Sequence, residues 1–596
     1  MAEFRDMRAR STWVPGIGEA RAYQPGWWTR DLTAGLVLTG LLAPAGMAYA
    51  AAAGLPPVNG LYASIIPLFV YALFGPSRIM VLGPDSALTP LIAAAVLPAL
   101  TTDPAQAVAI AGMLAVMAGV MCVCAGIARF GFLAELLSAP VRYGYLHGIA
   151  ITIIVGQTAT LCGFSVSGES LLGQLRQLWH GLADGLFTGW AFAVGGVCLA
   201  TILILRAISR RLPATLVAVV LGIVVSLAAG LAAKGVPMVG DLPRGLPTPA
   251  WPHLDWSTTR TLVGAALGVA FVSFADTSVL SRTMAIRRRE QVDTNQELVA
   301  LGLANLATGL FHGFPISSSS SRTPVAESAG ARTQLTGVVA AVAMIAIATA
   351  APSTFRHMPR ATLAAIVLAA AVSLIDIPVM VHLYAVRRSE FVLAISAMLA
   401  VAVLGPVTGA VVAVVLSILN FLRQSWKPYT AELVRVDGLK GYHDRARHPE
   451  GHVIPGLLLY RFDAPLFFAN CRFFADDLNR RIATQDEPVR CVIVTAEPIT
   501  DVDATAAETL RDLLADLTAR TIELRFAELK GTVHERVDRY RVFAGEMPDH
   551  TARTTGEAVK AYLRTYGVVW VDWEDRKNRR TGDDGLGGSS SVDDVR

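Results

Sequence analysis

Charge is scarce in this sequence. Asp, Glu, Lys and Arg make up 16% of its 596 residues against 53% hydrophobic, and the mean hydropathy is +0.49. That balance excludes an ordinary soluble protein and defines an integral membrane protein. The net charge of +4 is small for the length and the basic residues fall in short patches, with no basic, aromatic-studded domain, so no nucleic-acid partner is expected. Cysteine is equally sparse. Cys122, Cys124, Cys162, Cys198, Cys471 and Cys491 are scattered, mostly in apolar runs and without metal-ligand spacing, and they read as small core residues. The N-terminal stretch carries Arg5, Arg8 and Arg10 but lacks the apolar core of a signal peptide, so the N-terminus is expected to stay cytoplasmic. A Gly-rich phosphate loop and a nucleophile, base and metal constellation are also missing, so neither ATP drive nor an enzyme is expected, and no cofactor.

What the sequence has is hydrophobic segments. They lie near 32–53, 58–75, 83–99, 107–128, 139–162, 187–206, 213–233, 261–283, 296–312, 323–332, 334–352, 360–381, 390–405 and 407–422, about fourteen spans. Trp13, Trp27 and Trp28 precede the first, where indoles favour the membrane interface. With the N-terminus inside, the clustered cations (Arg129 and Arg142, Arg206 with Arg210 and Arg211, Arg287 to Arg289, Arg387 and Arg388) share the cytoplasmic side, as short inner loops require.

Two segments are broken in the same way. The third opens Gly83-Pro84-Asp85-Ser86-Ala87-Leu88-Thr89-Pro90, and the tenth follows the hydroxyl-rich run Gly313-Phe-Pro-Ile-Ser317 to Ser321-Arg-Thr-Pro324. Such a run cannot face hydrocarbon, because its backbone and hydroxyls need partners, so it should line a watery, protein-enclosed cavity. Thr323 before Pro324 reads as a helix N-cap whose positive end favours an anion. In two halves of seven spans the third and tenth correspond, and since seven is odd the halves are inverted. Paired broken segments of this kind point to a midplane transport site.

After Leu422 the apolar runs shorten and charge rises. Strands are expected at Leu457–Phe462, Leu466–Ala469, Cys491–Thr495 and Ile522–Ala527, with helices at Phe473–Ile482, Asp503–Thr518, Val533–Phe543 and Thr555–Tyr566, which makes a small α/β domain. The expected organisation is a cytoplasmic segment 1–30, a transmembrane domain 31–425, a linker 426–451, a soluble domain 452–570 and a disordered tail 571–596.

Several separated motifs carry a family resemblance: Pro44-Ala-Gly-Met-Ala-Tyr-Ala50, Ala53-Gly-Leu-Pro-Pro-Val58, Gly83-Pro-Asp-Ser86, Asn295-Gln-Glu-Leu298, Gly302-Leu-Ala-Asn305, Ser321-Arg-Thr323 and Gly330-Ala-Arg-Thr-Gln-Leu335. In them the chain resembles the SulP sulfate permeases, the group that includes solute-carrier anion exchangers. Tyr460 to Asn470 and Ile499 to Thr505 resemble a STAS domain. The resemblance implies a seven-plus-seven inverted repeat with core and gate subdomains, a homodimer in the lipid bilayer, a cytoplasmic STAS domain, and an inorganic anion held between the third and tenth half-helices. It implies secondary active transport, sulfate first, by cation symport or anion exchange with elevator-type alternating access. A bicarbonate or dicarboxylate carrier and a non-transporting anion sensor signalling through STAS are the alternatives. One departure is Ala45, where many relatives carry Gln or Glu, so this position supplies neither a titratable group nor a side-chain hydrogen bond.

The anion-contact candidates are Ser86, Ala87, Ser320, Ser321, Arg322 and Thr323, with Tyr49 and Phe271 as pocket walls. Asp85 is expected to cap the third helix, since an ionised acid turned inward repels an anion. Asp276 is an acid within an apolar span, a functional residue by default. With Thr277 and Ser278 it either holds Na⁺ or carries H⁺, or instead it pairs structurally with Arg282 or Arg322. In the STAS turn Ala504 stands where related domains place a phosphorylatable Ser, with Thr505 beside it and Asp503 expected as a helix N-cap.

Overall fold

The computed structural model describes residues 14–100, 104–135, 138–166, 171–209, 213–240, 243, 245–319, 322–350, 352–543, 550–570 and 572–573. The chain divides into two compact units, Met1–Ile418 and Leu419–Arg596. In chain order the first half of the helical region runs α1 (Pro15–Arg21), α2 (Trp28–Ala52), α3 (Pro57–Phe74), β1 (Leu82–Gly83), α4 (Thr89–Leu100), α5 (Pro104–Ile127), α6 (Ala139–Leu161), α7 (Leu171–Ala183), α8 (Gly189–Ile208) and α9 (Ala214–Ala229). The second half runs α10 (Trp256–Thr261), α11 (Val263–Arg288), α12 (Thr294–Leu310), β2 (Ser317–Ser318), α13 (Arg322–Ser328), α14 (Leu335–Ala350), α15 (Arg360–Leu374), α16 (Ile377–Val386), α17 (Arg388–Leu404) and α18 (Pro406–Trp426).

Each of the fourteen expected segments holds a helix, and α1, α7, α10 and α16 are additional. Among the described residues eight helices are long and apolar enough to cross a membrane. The helices of the other six segments are shorter: α13 with 7 residues and α4 with 12 belong to the two broken segments, while α9 and α14 have 16 and α12 and α17 have 17. Val197, Leu203 and Ile204 are exposed on α8, which is the surface hydrocarbon covers.

The helices pack in two groups. One is α2, α3, α4, α5, α11, α12, α13 and α14, and the other is α6, α8, α9, α15 and α17, which meets the first chiefly through α2. The closest pair is α5 and α12. A β carbon at Gly119 would lie 2.7 Å from the Gly302 carbonyl oxygen, and one at Gly302 would lie 2.6 Å from that of Gly119. Gly112 meets Gly309 in the same way, because a seven-residue spacing returns glycine to one face after two turns.

The second unit is a six-stranded sheet of order β4-β3-β5-β6-β7-β8, where β3 is Thr430–Arg435, β4 Tyr442–Asp444, β5 Leu457–Phe462, β6 Cys491–Thr495, β7 Glu523–Ala527 and β8 Thr551–Ala552. The strands β5 to β8 run parallel, and β3 is antiparallel to β4 and β5. Its helices are α19 (Cys471–Ala483), α20 (Ala504–Ala519), α21 (Gly531–Arg539) and α22 (Thr555–Tyr566). The period of two sorts the strands: Leu458, Tyr460, Phe462, Val492 and Val494 pack with α19 and α20, while Leu457, Leu459, Cys491 and Ile493 pack with α22. Two expectations change. The segment 426–451 is not a bare linker, since it supplies β3 and β4, whose charged sequences mask their pairing. Leu466–Ala469 is not a strand but holds a single bridge, Leu466 to Val502. The expected disordered tail lies outside the described residues from 574 onward.

Candidate functional site

The two broken segments meet. β1 and β2 pair antiparallel, Leu82 opposite Ser318 and Gly83 opposite Ser317, so the third and tenth segments cross in extended form before α4 and α13 begin. Side chains replace the helical hydrogen bonds that this extension forfeits. Asn305 on α12 accepts the Ile316 N–H at 2.9 Å and donates to the Ile316 carbonyl at 3.1 Å. Gln334 Nε2 donates to the carbonyls of Ser77 (2.7 Å) and Met80 (3.0 Å). The Val81 N–H donates to Thr323 Oγ1 at 3.1 Å, and the Ser319 N–H to the Val81 carbonyl at 3.2 Å.

Thr323 is therefore not the N-cap expected from Thr-Pro. The helix already includes Arg322, the Thr323 N–H makes a helical bond to the Ser319 carbonyl, and its hydroxyl is given to the opposite broken segment. Ser320 and Ser321 lie outside the described residues.

Beside the crossing lies a cavity of about 1010 Å³. Buried Ser86, Ala87, Ser318 and Arg322 line its inner end, Ala45, Tyr49 and Asp276 its flank, and exposed Thr283, Arg287, Ser328 and Ser373 its mouth. Arg322 is 5% exposed. Its Nη2 donates to the Pro84 carbonyl across the crossing, while Nε and Nη1 are buried with no hydrogen-bond partner among the described residues. The Ser318 hydroxyl is in the same condition. Asp85 turns to its own backbone: Oδ2 accepts the Ala87 N–H at 2.9 Å, so that N–H, a candidate anion contact, is occupied. The Asp85 carbonyl accepts the Thr89 N–H (3.3 Å) and hydroxyl (2.9 Å), starting α4.

Asp276 pairs with neither Arg282 nor Arg322, and no salt bridge or hydrogen bond among the described residues engages its carboxylate, whose charged neighbours include Asp85 and Arg142. Thr277 is fully buried, its hydroxyl accepting the Ser318 N–H at 3.2 Å. Ser278 is buried as well, its hydroxyl without a partner among the described residues, and neither it nor Thr277 lines the cavity. Phe271 is half-buried on α11 and is not a lining residue. In the second unit Asp503 caps α20, Oδ1 accepting the Ala506 N–H at 2.8 Å, and Thr505 is exposed beside it.

Sequence reasoning passed over Arg142, Arg206 and Arg287, which line the cavity but read as ordinary loop cations, and Ser318, which read as part of the crossover. Asn305 and Gln334 stood inside recognised motifs without a role. An amide inside the apolar segment 296–312 was the available signal for Asn305.

A polytopic helical bundle with two crossed, broken segments walling an open cavity defines a membrane transport protein. Residues 28–397 match the sulfate permease family and residues 448–558 the STAS domain. The chain belongs to the sulfate permease family, a family of transporters and not of enzymes. It is 38% identical over 556 residues, 93% of this chain and 98% of that protein, to "Probable sulfate transporter Rv1739c" of Mycobacterium tuberculosis. It is 32% identical over 478 residues to human "Solute carrier family 26 member 6", covering 76% of this chain and 63% of that one. The fold matches the murine solute carrier 26 member A9 anion transporter in its inward-facing state, with TM-score 0.84 and 21% identity over 92% of this chain and 93% of that one. The fold is accordingly the seven-plus-seven inverted repeat with a C-terminal STAS domain.

Proposed function

We propose that the protein is a secondary active carrier of a small inorganic oxyanion, sulfate first. The observation that carries this reading is Arg322, a buried guanidinium with no acid partner among the described residues and two unbonded donors at the inner end of the cavity. A buried cation whose charged neighbour Asp85 makes no ion pair with it is costly, and an oxyanion accepting from Nε and Nη1 relieves that cost with charge-assisted hydrogen bonds. Ser86 and Ser318 add hydroxyl donors, and Thr323 and Ala87 border the same crossing. Tyr49 and Ala45 form the wall.

The anion must be driven. Bringing two negative charges into a cell at about −100 mV costs roughly 4.6 kcal/mol, which binding contacts alone cannot supply. Asp276, in the cavity wall with no bonded partner for its carboxylate among the described residues, is the coupling group. Of H⁺ and Na⁺ the geometry favours H⁺, since Thr277 and Ser278 are turned about 100° and about 200° from Asp276 around the helix and do not converge on one ion. Because Arg142, Arg206 and Arg287 line the cavity and belong to the basic loops, it opens to the cytoplasm, with both termini on that side. The two helix groups then move as core and gate in an elevator cycle, in a homodimer to whose assembly or regulation the STAS domain contributes.

The test is radiolabelled sulfate uptake into proteoliposomes under imposed H⁺ and Na⁺ gradients, for wild type and Asp276→Asn. Gradient-driven uptake should respond to H⁺ and vanish in the variant while anion exchange persists. Uptake in the variant that still follows the gradient would remove Asp276 from coupling. A substrate panel in which bicarbonate or a dicarboxylate outcompetes sulfate would overturn the substrate.

A further inference from the structure

The cavity is walled by both helix groups, yet every anion contact considered so far lies on one of them. Arg322 reaches the cavity from the tenth segment. From the other group comes Arg206, which lines the same cavity at the end of α8. Its Nη1 donates to the Ala369 carbonyl on α15 at 3.1 Å, which fixes the guanidinium within its own helix group, and among the described residues no acid pairs with it. Arg142 differs, for its guanidinium lies over the Tyr143 ring at 5.4 Å and it is a charged neighbour of Asp276. Arg287 differs too, being exposed at the mouth. Arg206 and Arg322 both act electrostatically on Tyr49, which puts them on one stretch of the cavity.

The charge count agrees. Among the described residues four arginines (142, 206, 287 and 322) and two aspartates (85 and 276) line the cavity, an excess of two positive charges while Asp276 is ionised and of more once it takes up its proton. A singly charged anion would leave at least half of that excess uncompensated in a partly desolvated site.

We propose that Arg206 is a second substrate-contacting residue which, with Arg322, brackets the anion between the two helix groups and so selects doubly charged oxyanions over singly charged ones. This rests on the carrier reading above and adds to it the charge class of the substrate and the residue that sets it. An anion seated between the two groups of helices touches Arg206 only while the cavity is open as it is here. Arg206 therefore acts on binding from that side.

The test uses the full chain in proteoliposomes, comparing inhibition of radiolabelled sulfate uptake by unlabelled sulfate and by nitrate, in wild type, Arg206→Gln and Arg206→Lys. Removing one charge-assisted contact should weaken the apparent sulfate affinity of Arg206→Gln about tenfold, with nitrate affinity changed less than about twofold. Arg206→Lys, which keeps the charge, should stay within about threefold of wild type. Equal losses for both anions in Arg206→Gln, no loss for either, or a lysine variant as weak as the glutamine one would overturn the proposal. If wild type takes up no anion saturably, the carrier reading itself fails, and that outcome is distinct because it needs no variant.

Discussion

The two broken segments occupy corresponding places in an inverted repeat, yet they differ in what they contribute. The third supplies backbone: the carbonyls of Ser77, Met80, Val81 and Pro84 and the N–H of Val81 all bond to the second half of the repeat. The tenth supplies side chains, Arg322 and Thr323, helped by Asn305 before it and Gln334 after it. The acid of the third, Asp85, is folded onto its own Ala87 N–H, whereas the cation of the tenth reaches across. Symmetry of topology thus leaves the chemistry asymmetric. One arm shapes the site and the other charges it.

The largest effect should come from breaking the charged arm. Arg322→Ala removes both the Pro84 bond and the two free donors, and sulfate affinity measured by equilibrium binding should fall by about 3 kcal/mol, over a hundredfold. Arg322→Lys should recover little, because an ammonium cannot hold the carbonyl and present a planar pair of donors together. If Arg322→Ala binds sulfate as wild type does, the division between shaping and charging arms is wrong.

The clamps should come next. Asn305→Ala strands a buried N–H at Ile316, whose carbonyl keeps the Ser273 hydroxyl at 3.2 Å, and Gln334→Ala takes a donor from the carbonyls of Ser77 and Met80. Losses of about 1–3 kcal/mol and about 1–2 kcal/mol are expected, read as lowered melting temperatures of the solubilised protein. A larger loss for Gln334→Ala would mean that the third segment, not the tenth, is the one more dependent on its clamp.

The second unit shows the other way to hold an acid. Asp85 is held by an N–H, but Asp477 is held mainly by cations, Arg481 at 3.0 Å and Arg480 at 2.9 Å, with the Tyr460 hydroxyl at 3.0 Å. Burial pushes the Asp477 carboxyl up, but the bonds from Arg481 and Thr430, the Arg481 charge and the Tyr460 bond outweigh it and hold the group below its ordinary range. A depressed carboxyl contributes stability above its unfolded pKa of about 4 and loses it as pH falls through the lower folded value. Asp477→Asn should therefore reduce amide-exchange protection in β5 and α19 of the full chain by about 1–2 kcal/mol at pH 7, and the gap should close progressively below about pH 4. A gap unchanged through that window would show that packing, and not charge, holds the acid.

How far the sequence foretold this follows from what each feature depends on. Hydrophobic length marked all fourteen helical segments, and short apolar runs marked β5, β6 and β7, because those signals are local. The broken segments were legible because proline and hydroxyls in an apolar run contradict their surroundings. What stayed hidden is tertiary: that Thr323 bonds Val81 and does not cap, that Arg206 turns into a cavity, and that charged 430–444 pairs as β3 and β4. Asp276 was legible as an intramembrane acid, but its two neighbours on α11 were drawn into its role by adjacency in sequence, which on a helix means facing elsewhere.

The smallest predicted effect bears on the shaping arm alone. Asp85→Asn keeps an oxygen to accept the Ala87 N–H, so the turn into α4 should survive, while the substitution removes a negative charge from the lining of a cavity built for an anion. Sulfate binding should tighten by about 1 kcal/mol, roughly fivefold, because the acid now opposes the anion at modest strength through a partly aqueous cavity. Asp85→Ala removes the acceptor as well, and the orphaned Ala87 N–H and loosened turn should offset that gain, leaving binding no tighter than wild type. The ordering of the two variants is the decisive result. If alanine tightens binding as much as asparagine, the carboxylate acts only through its charge and does nothing to shape the segment. If asparagine weakens binding, Asp85 serves the anion directly, and the two arms share the chemistry after all.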